Sequence, residues 1–121
     1  MKLANYQILA FAWLCRCFGK EIARNKRERA FRFGEEAIEL LQASELSKDD
    51  VINLVNYVYS REIGDPVDEI GGAIVCLTVL AEVHNVDLEM ASEHALQKCE
   101  VNSEKIRTKG IAKPVNIRGY V

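Results

Sequence analysis

The run Arg32-Phe33-Gly34-Glu35-Glu36-Ala37-Ile38-Glu39-Leu40-Leu41 settles what kind of chain this is. It reads as the middle of a long amphipathic helix. No strand-like alternation of any length occurs before the last dozen residues, so the chain reads as all-α. Glu35 and Glu36 lie four and three residues before Glu39, so the three carboxylates can converge on one helical face. Like charges so spaced repel by roughly 0.2–0.5 kcal/mol per pair on an exposed helix. A divalent cation or nearby arginines would offset that repulsion, and the functional question is which.

Outward from this run, the apolar line Ile22, Ala30, Phe33, Ala37, Leu40 and Leu41 predicts one helix from about Glu21 to Ala43. Lys26, Arg27, Arg29 and Arg32 precede the glutamates, an order opposite to the one the helix dipole favours. Before it, Tyr6, Leu9, Ala10, Trp13, Leu14 and Cys17 predict a first helix from about Ala4 to Phe18, with Gly19 as its stop. Trp13 in that stripe reads as core or oligomer interface in preference to a base-stacking platform. After it, Ser47 with Asp49 and Asp50 opens a third helix that ends near Ser60. Asp65-Pro66 reads as cap plus first-turn proline of a fourth, running to about His84. Ile70, Ile74, Val75, Leu77, Val79 and Leu80 make that helix apolar nearly all round, as a central bundle helix is. Gly71-Gly72 within it costs about 1 kcal/mol per glycine against alanine. Close helix crossing is the preferred reason, and close approach of a ligand or neighbouring subunit the other. Asn85 and Asp87 mark the next turn, and a fifth helix runs from Leu88 to about Thr108. The expectation is one helical bundle of four to five helices over residues 1–109. A short polar tail over 110–121 is extended through Val115-Asn116-Ile117.

The totals narrow the function classes. A formal net charge of −2 gives no global electrostatic case for nucleic acid or an anionic membrane. No segment is long and apolar enough to span a bilayer. The apolar N-terminal start lacks a small-residue cleavage site before Arg16, so the expected location is cytoplasmic. Cys15, Cys17, Cys76 and Cys99 show no zinc spacing and read as reduced, mostly buried thiols. His84 and His94 have no nucleophile or metal-spaced partner and are assigned no chemistry.

The fourth helix adds Asp65, Asp68 and Glu69 at its N-terminal end, and antiparallel packing would set Glu69 opposite Glu36 and Glu39. Carboxylates without histidine or thiolate suit a hard cation, Mg²⁺ or Mn²⁺. The plainer reading makes the three α-helical glutamates a solvated face, salt-bridged to Arg29 and Arg32 one turn earlier. Periodicity alone leaves both open.

Beyond periodicity, Glu35-Glu36-Ala37-Ile38-Glu39 resembles the E-E-x-x-E motif of the MazG-like all-α nucleoside triphosphate pyrophosphohydrolases. Glu69-Ile70-Gly71-Gly72 stands where that family has E-x-x-D. The chain is most similar to a small phage and prophage branch. The likeness lies in Trp13 through Gly19, Glu28-Arg29 before Arg32-Phe33, Gly64-Asp65-Pro66 before Glu69, and Glu104-Lys105-Ile106-Arg107. It covers roughly residues 10–114. The resemblance implies Mg²⁺-dependent hydrolysis (Mn²⁺ as a substitute) of a nucleoside triphosphate, often deoxy or non-standard, to monophosphate and pyrophosphate. It implies metal ligation by Glu36, Glu39 and Glu69, and Glu35 as the water-orienting base. Arg32, Lys105 and Arg107 are assigned to the phosphates, and a dimer or tetramer is expected. Gly72 replaces the second-motif aspartate; Asp65, one turn before Glu69, is the candidate substitute. The alternative is a catalytically weak or inactive module of the same fold that binds a nucleotide or a protein.

Overall fold

A computed structural model describes all 121 residues. They form α1 (Leu3–Phe18), α2 (Lys20–Ala23), α3 (Lys26–Ala43), α4 (Lys48–Tyr59), α5 (Pro66–Val83), α6 (Leu88–Val101) and α7 (Ser103–Ile111), then a 3₁₀ turn, Val115–Ile117. There is no strand, so the chain is all-α. The tail expected to be extended is instead that 3₁₀ turn.

Several helix ends follow directly from local chemistry. Gly19 stops α1 at φ 83°, a conformation that only glycine adopts without strain. Ser47 and Asp50 form a reciprocal capping box: the Asp50 amide donates to Ser47 Oγ at 3.0 Å, and the Ser47 amide to Asp50 Oδ2 at 2.9 Å. Asp65 accepts from the Val67 amide at 2.8 Å with Pro66 in the first turn of α5. Asn85 takes the left-handed conformation after α5, at φ 56°, and the Val86 amide returns to the Ala81 carbonyl.

Two expected helices are each broken in two, which is why seven appear where four to five were expected. The helix expected over Glu21–Ala43 stops at Ala23 and restarts at Lys26. Asn25 Oδ1 accepts the Glu28 amide at 2.9 Å, satisfying one of the amides a new helix start leaves unpaired. The helix expected from Leu88 to Thr108 breaks at Asn102. Ser103 then opens α7, its Oγ accepting from Trp13 Nε1 at 2.9 Å.

The chain divides into two compact units: Met1–Glu35 with Glu89–Val121, and Glu36–Leu88. In the first, Cys17, Ala23 and Leu96 form the buried apolar core, and Glu28 is buried with them. Backbones approach closely where α1 meets α2 and α7. Gly110 permits the second approach, since a Cβ there would stand 2.7 Å from the Phe18 ring. In the second unit Ser44 Oγ and His84 Nε2 are 2.9 Å apart, tying the end of α3 to the end of α5. Neither α4 nor α5 has a buried residue. The helix expected to be central is bare: Ile70 is 66% exposed and Val75 63%. Open space also surrounds Gly71 and Gly72, so no helix of this chain crosses α5 closely there.

Candidate functional site

In the first unit, Glu28, Arg32 and Glu35 recur at three- and four-residue steps and form one face of α3, with Asn25 just before its first residue in line with them. The C-terminal segment runs antiparallel along this face. Asn25 Nδ2 donates to the Gly119 carbonyl at 3.0 Å, and the Gly119 amide donates to Glu28 Oε1 at 3.0 Å. Arg32 Nη2 donates to the Ile117 carbonyl. Lys113 Nζ donates to both oxygens of Glu35, at 2.7 and 3.0 Å. Arg118 braces the segment itself, donating to the carbonyls of Ile111 and Tyr120 at 2.7 and 2.9 Å.

Glu28 is 2% exposed. A buried carboxylate persists as a charge only when paired and hydrogen-bonded. Arg32 Nε stands 3.4 Å from its Oε2, and Arg29 Nη2 3.6 Å. Burial pulls Arg29 below its ordinary range, with Glu28 pulling the other way. Arg32 also points Nη1 at Glu35 Oε1, 3.4 Å away. Its guanidinium is therefore divided among Glu28, Glu35 and Ile117. Nη1 and Nη2 of this expected phosphate ligand are hydrogen-bonded within the chain, while Nε is buried with an ion-pair partner but no hydrogen bond.

In the second unit, Glu36 and Glu39 are exposed and form no ion pair. Glu36 and Glu39 are solvated, as the plainer reading has it, but of the three only Glu35 is salt-bridged, to Arg32 and Lys113 and not to Arg29. Glu69 occupies the first turn of α5, where a negative charge is favoured. Its carboxylate folds back over Gly64, occupying the space that a side chain there would need. Asp65 has one oxygen committed to its cap. No three acidic, histidine or cysteine side chains converge into a metal-holding group. What α3 does offer is two free carboxylates one turn apart. That fits Mg²⁺, which is held by one or two carboxylates together with water and substrate phosphate oxygens. It does not fit an all-protein cage.

Lys105 and Arg107 part company, as residues two apart on a helix do. Lys105 lines a cleft of about 430 Å³ with Lys98, Lys109 and Asn102. Arg107 lies near Cys17, whose thiol is pushed up by burial while the guanidinium draws it down. Trp13 lines an apolar cleft of about 510 Å³ between α1 and α6 with its indole N–H satisfied, in keeping with a packing role. All four cysteines are free, but only Cys17 is buried and Cys76 is exposed, against the expectation of mostly buried thiols.

No family model, curated protein or solved structure matches this chain. The residues α3 and the tail bring together speak for themselves.

Sequence reading missed Glu28, Lys113 and Gly119. For Glu28 a signal existed: Asn25-Lys26-Arg27-Glu28 has the spacing of a helix-opening capping pair. Lys113 and Gly119 carried none, since their partners lie 78 and 91 residues away.

Proposed function

We propose that the protein hydrolyses a (deoxy)nucleoside triphosphate to the monophosphate and pyrophosphate with Mg²⁺, working as an assembly of identical copies. The observation that carries this reading is that Glu36 and Glu39 stand exposed, one turn apart, with no cation from the chain to balance them. The two like charges one turn apart repel, and a bound cation would offset that repulsion. These two lie in the E-E-x-x-E pattern that resembles the MazG-like pyrophosphohydrolases. Glu36 and Glu39 would hold the metal, with Glu69 as a third ligand. Asp65 remains the substitute for the missing second-motif aspartate. When bound, the ion would polarise phosphate oxygens and offset charge on the leaving pyrophosphate. Glu35 would take the proton of the water that attacks the α-phosphorus as the bond to the β-phosphate oxygen breaks. Lys105, beside Lys98 and Lys109, and Arg107 are the cations assigned to the phosphates.

Exposed area supports the assembly. The chain exposes 9795 Å², whereas a self-sufficient monomer of this mass exposes about 6,600 Å² by the usual scaling. The excess, about 3,200 Å² per chain, is area that neighbouring copies would cover. A bare α5, apolar along most of its length and with two unhindered glycines, is the surface a second copy would cover. The test is pyrophosphate release from canonical and modified nucleoside triphosphates with Mg²⁺ or Mn²⁺, with Glu36→Gln as the blank. Metal-dependent release absent from the variant is the expected result. Release of orthophosphate, or of nothing, would contradict it. Nucleotide binding without release would make the protein a binding module of the same fold.

A further inference from the structure

We propose that the cleft between α1 and α6 is a binding site for a small organic acid, an apolar body carrying one carboxylate, with Arg29 receiving the head group. Every residue lining the cleft belongs to the first unit, and the site does not depend on the hydrolase reading above. The cleft holds about 510 Å³, within the range of small-molecule sites. Phe11, Trp13, Leu14 and Leu96 give it apolar walls, and no carboxylate lines it. Arg29 is the one charged residue on those walls.

Arg29 is poorly matched by its own chain. Its guanidinium donates no hydrogen bond within the chain, and its Nε is buried without a partner. The one ion pair it makes, to Glu28 Oε2 at 3.6 Å, is longer than a hydrogen bond. Glu28 is also shared: Arg32 Nε at 3.4 Å and the Gly119 amide at 3.0 Å both stand closer to it. A guanidinium is always charged and carries five N–H donors, so a partly buried one is stabilised by an acceptor. The terminal nitrogens are not sealed from solvent, and a carboxylate can take both end-on. The remaining polar atoms of the walls choose the class of ligand. Tyr6 donates its hydroxyl to the Ser92 carbonyl at 2.6 Å, and Trp13 its indole N–H to Ser103 Oγ at 2.9 Å. A nucleobase would find little beyond Gln7 for its polar edge, whereas an apolar body needs nothing more. A lone guanidinium suits a single negative charge.

Trp13 is the single tryptophan of the chain and lines the cleft, so its emission reports occupancy there and not on α5. The full chain is titrated with octanoate, and with 1-octanol as the uncharged probe of the same length. Octanoate should shift the emission to the blue and saturate. Octanol should need about tenfold higher concentration, because it lacks the charge-assisted hydrogen bond. Arg29→Met should weaken octanoate about tenfold and leave octanol unchanged, making the two alike. Ala95→Phe should fill the cleft from an exposed position and abolish both responses. It also decides the matter if Arg29→Met does not fold. Equal responses to acid and alcohol in the native chain would overturn the proposal, leaving only an apolar surface, and so would no response to either. Emission that follows protein concentration and ignores octanoate would overturn it by putting a second copy in the cleft. An octanoate response that survives Ala95→Phe, or an octanoate preference that survives Arg29→Met in a folded chain, would contradict it as well.

Discussion

The two units of this chain solve the burial problem in opposite ways. The first closes on itself: Glu28 is buried against two arginines and a backbone amide, Phe18 lies on Gly110, and the C-terminal segment is fastened along α3. The second presents two helices without one buried residue. Both come from one chain of ordinary composition, so the contrast is not one of hydrophobic content. Isoleucine, valine and leucine are abundant in α4 and α5, and each is worth about 1.5–3 kcal/mol when fully buried. In this chain that stabilisation is mostly unrealised. On the assembly proposed above, a second copy of the chain supplies the cover that this helix pair lacks.

The largest expected effect is on chemistry. Glu39→Gln should reduce pyrophosphate release by about a hundredfold or more, as loss of a metal-holding carboxylate does. Far-ultraviolet circular dichroism should stay unchanged, because Glu39 is exposed and unpaired. Retained turnover would remove Glu39 from the site. Val75→Asp comes next. An unpaired charge set in a dry interface costs several kcal/mol, so the variant should elute as smaller species and unfold at lower temperature. A charge at a truly solvated position would change neither.

Glu28→Ala probes the self-sufficient unit. It leaves Arg29 and Arg32 without their buried counter-charge, for which a loss of about 3–5 kcal/mol is usual. Urea unfolding should show it, and a loss under 1 kcal/mol would mean that the buried network does not hold the unit together. A smaller change, of about 1 kcal/mol, is expected for Ser47→Ala, which removes half of the α4 capping box. The mildest probe is thiol labelling near pH 8. Cys17 should react slowly, being buried with its thiol pushed up, which starves it of thiolate. Cys76 is exposed on α5 in the single chain. Slow labelling of Cys76 in the native protein and fast labelling in Val75→Asp would mark the covered face directly.

Much of the fold was legible because its signals are local. Gly19, the Ser47–Asp50 box and Asp65-Pro66 each specify a helix end within four residues. The breaks at Asn25 and Asn102 were not, because apolar periodicity continues across both. What seats the first is Gly119, 94 residues away. The candidate site was legible in its residue types and not in its partners. Glu35, Glu36 and Glu39 form a single motif in sequence, yet one is clamped by Lys113 and two are free. The bareness of α5 was unreadable for a different reason. An all-round apolar helix looks the same in sequence whether its own chain or another copy covers it.

The most direct test of this account is the mass of the native protein in solution, by sedimentation equilibrium at micromolar concentration. If α5 is covered by a second copy, the mass will be at least twice the chain's 13.7 kDa and will fall in Val75→Asp. A stable, cooperatively folding species of single-chain mass would contradict it, and the apolar face of the second unit would then have to be stable in water by itself.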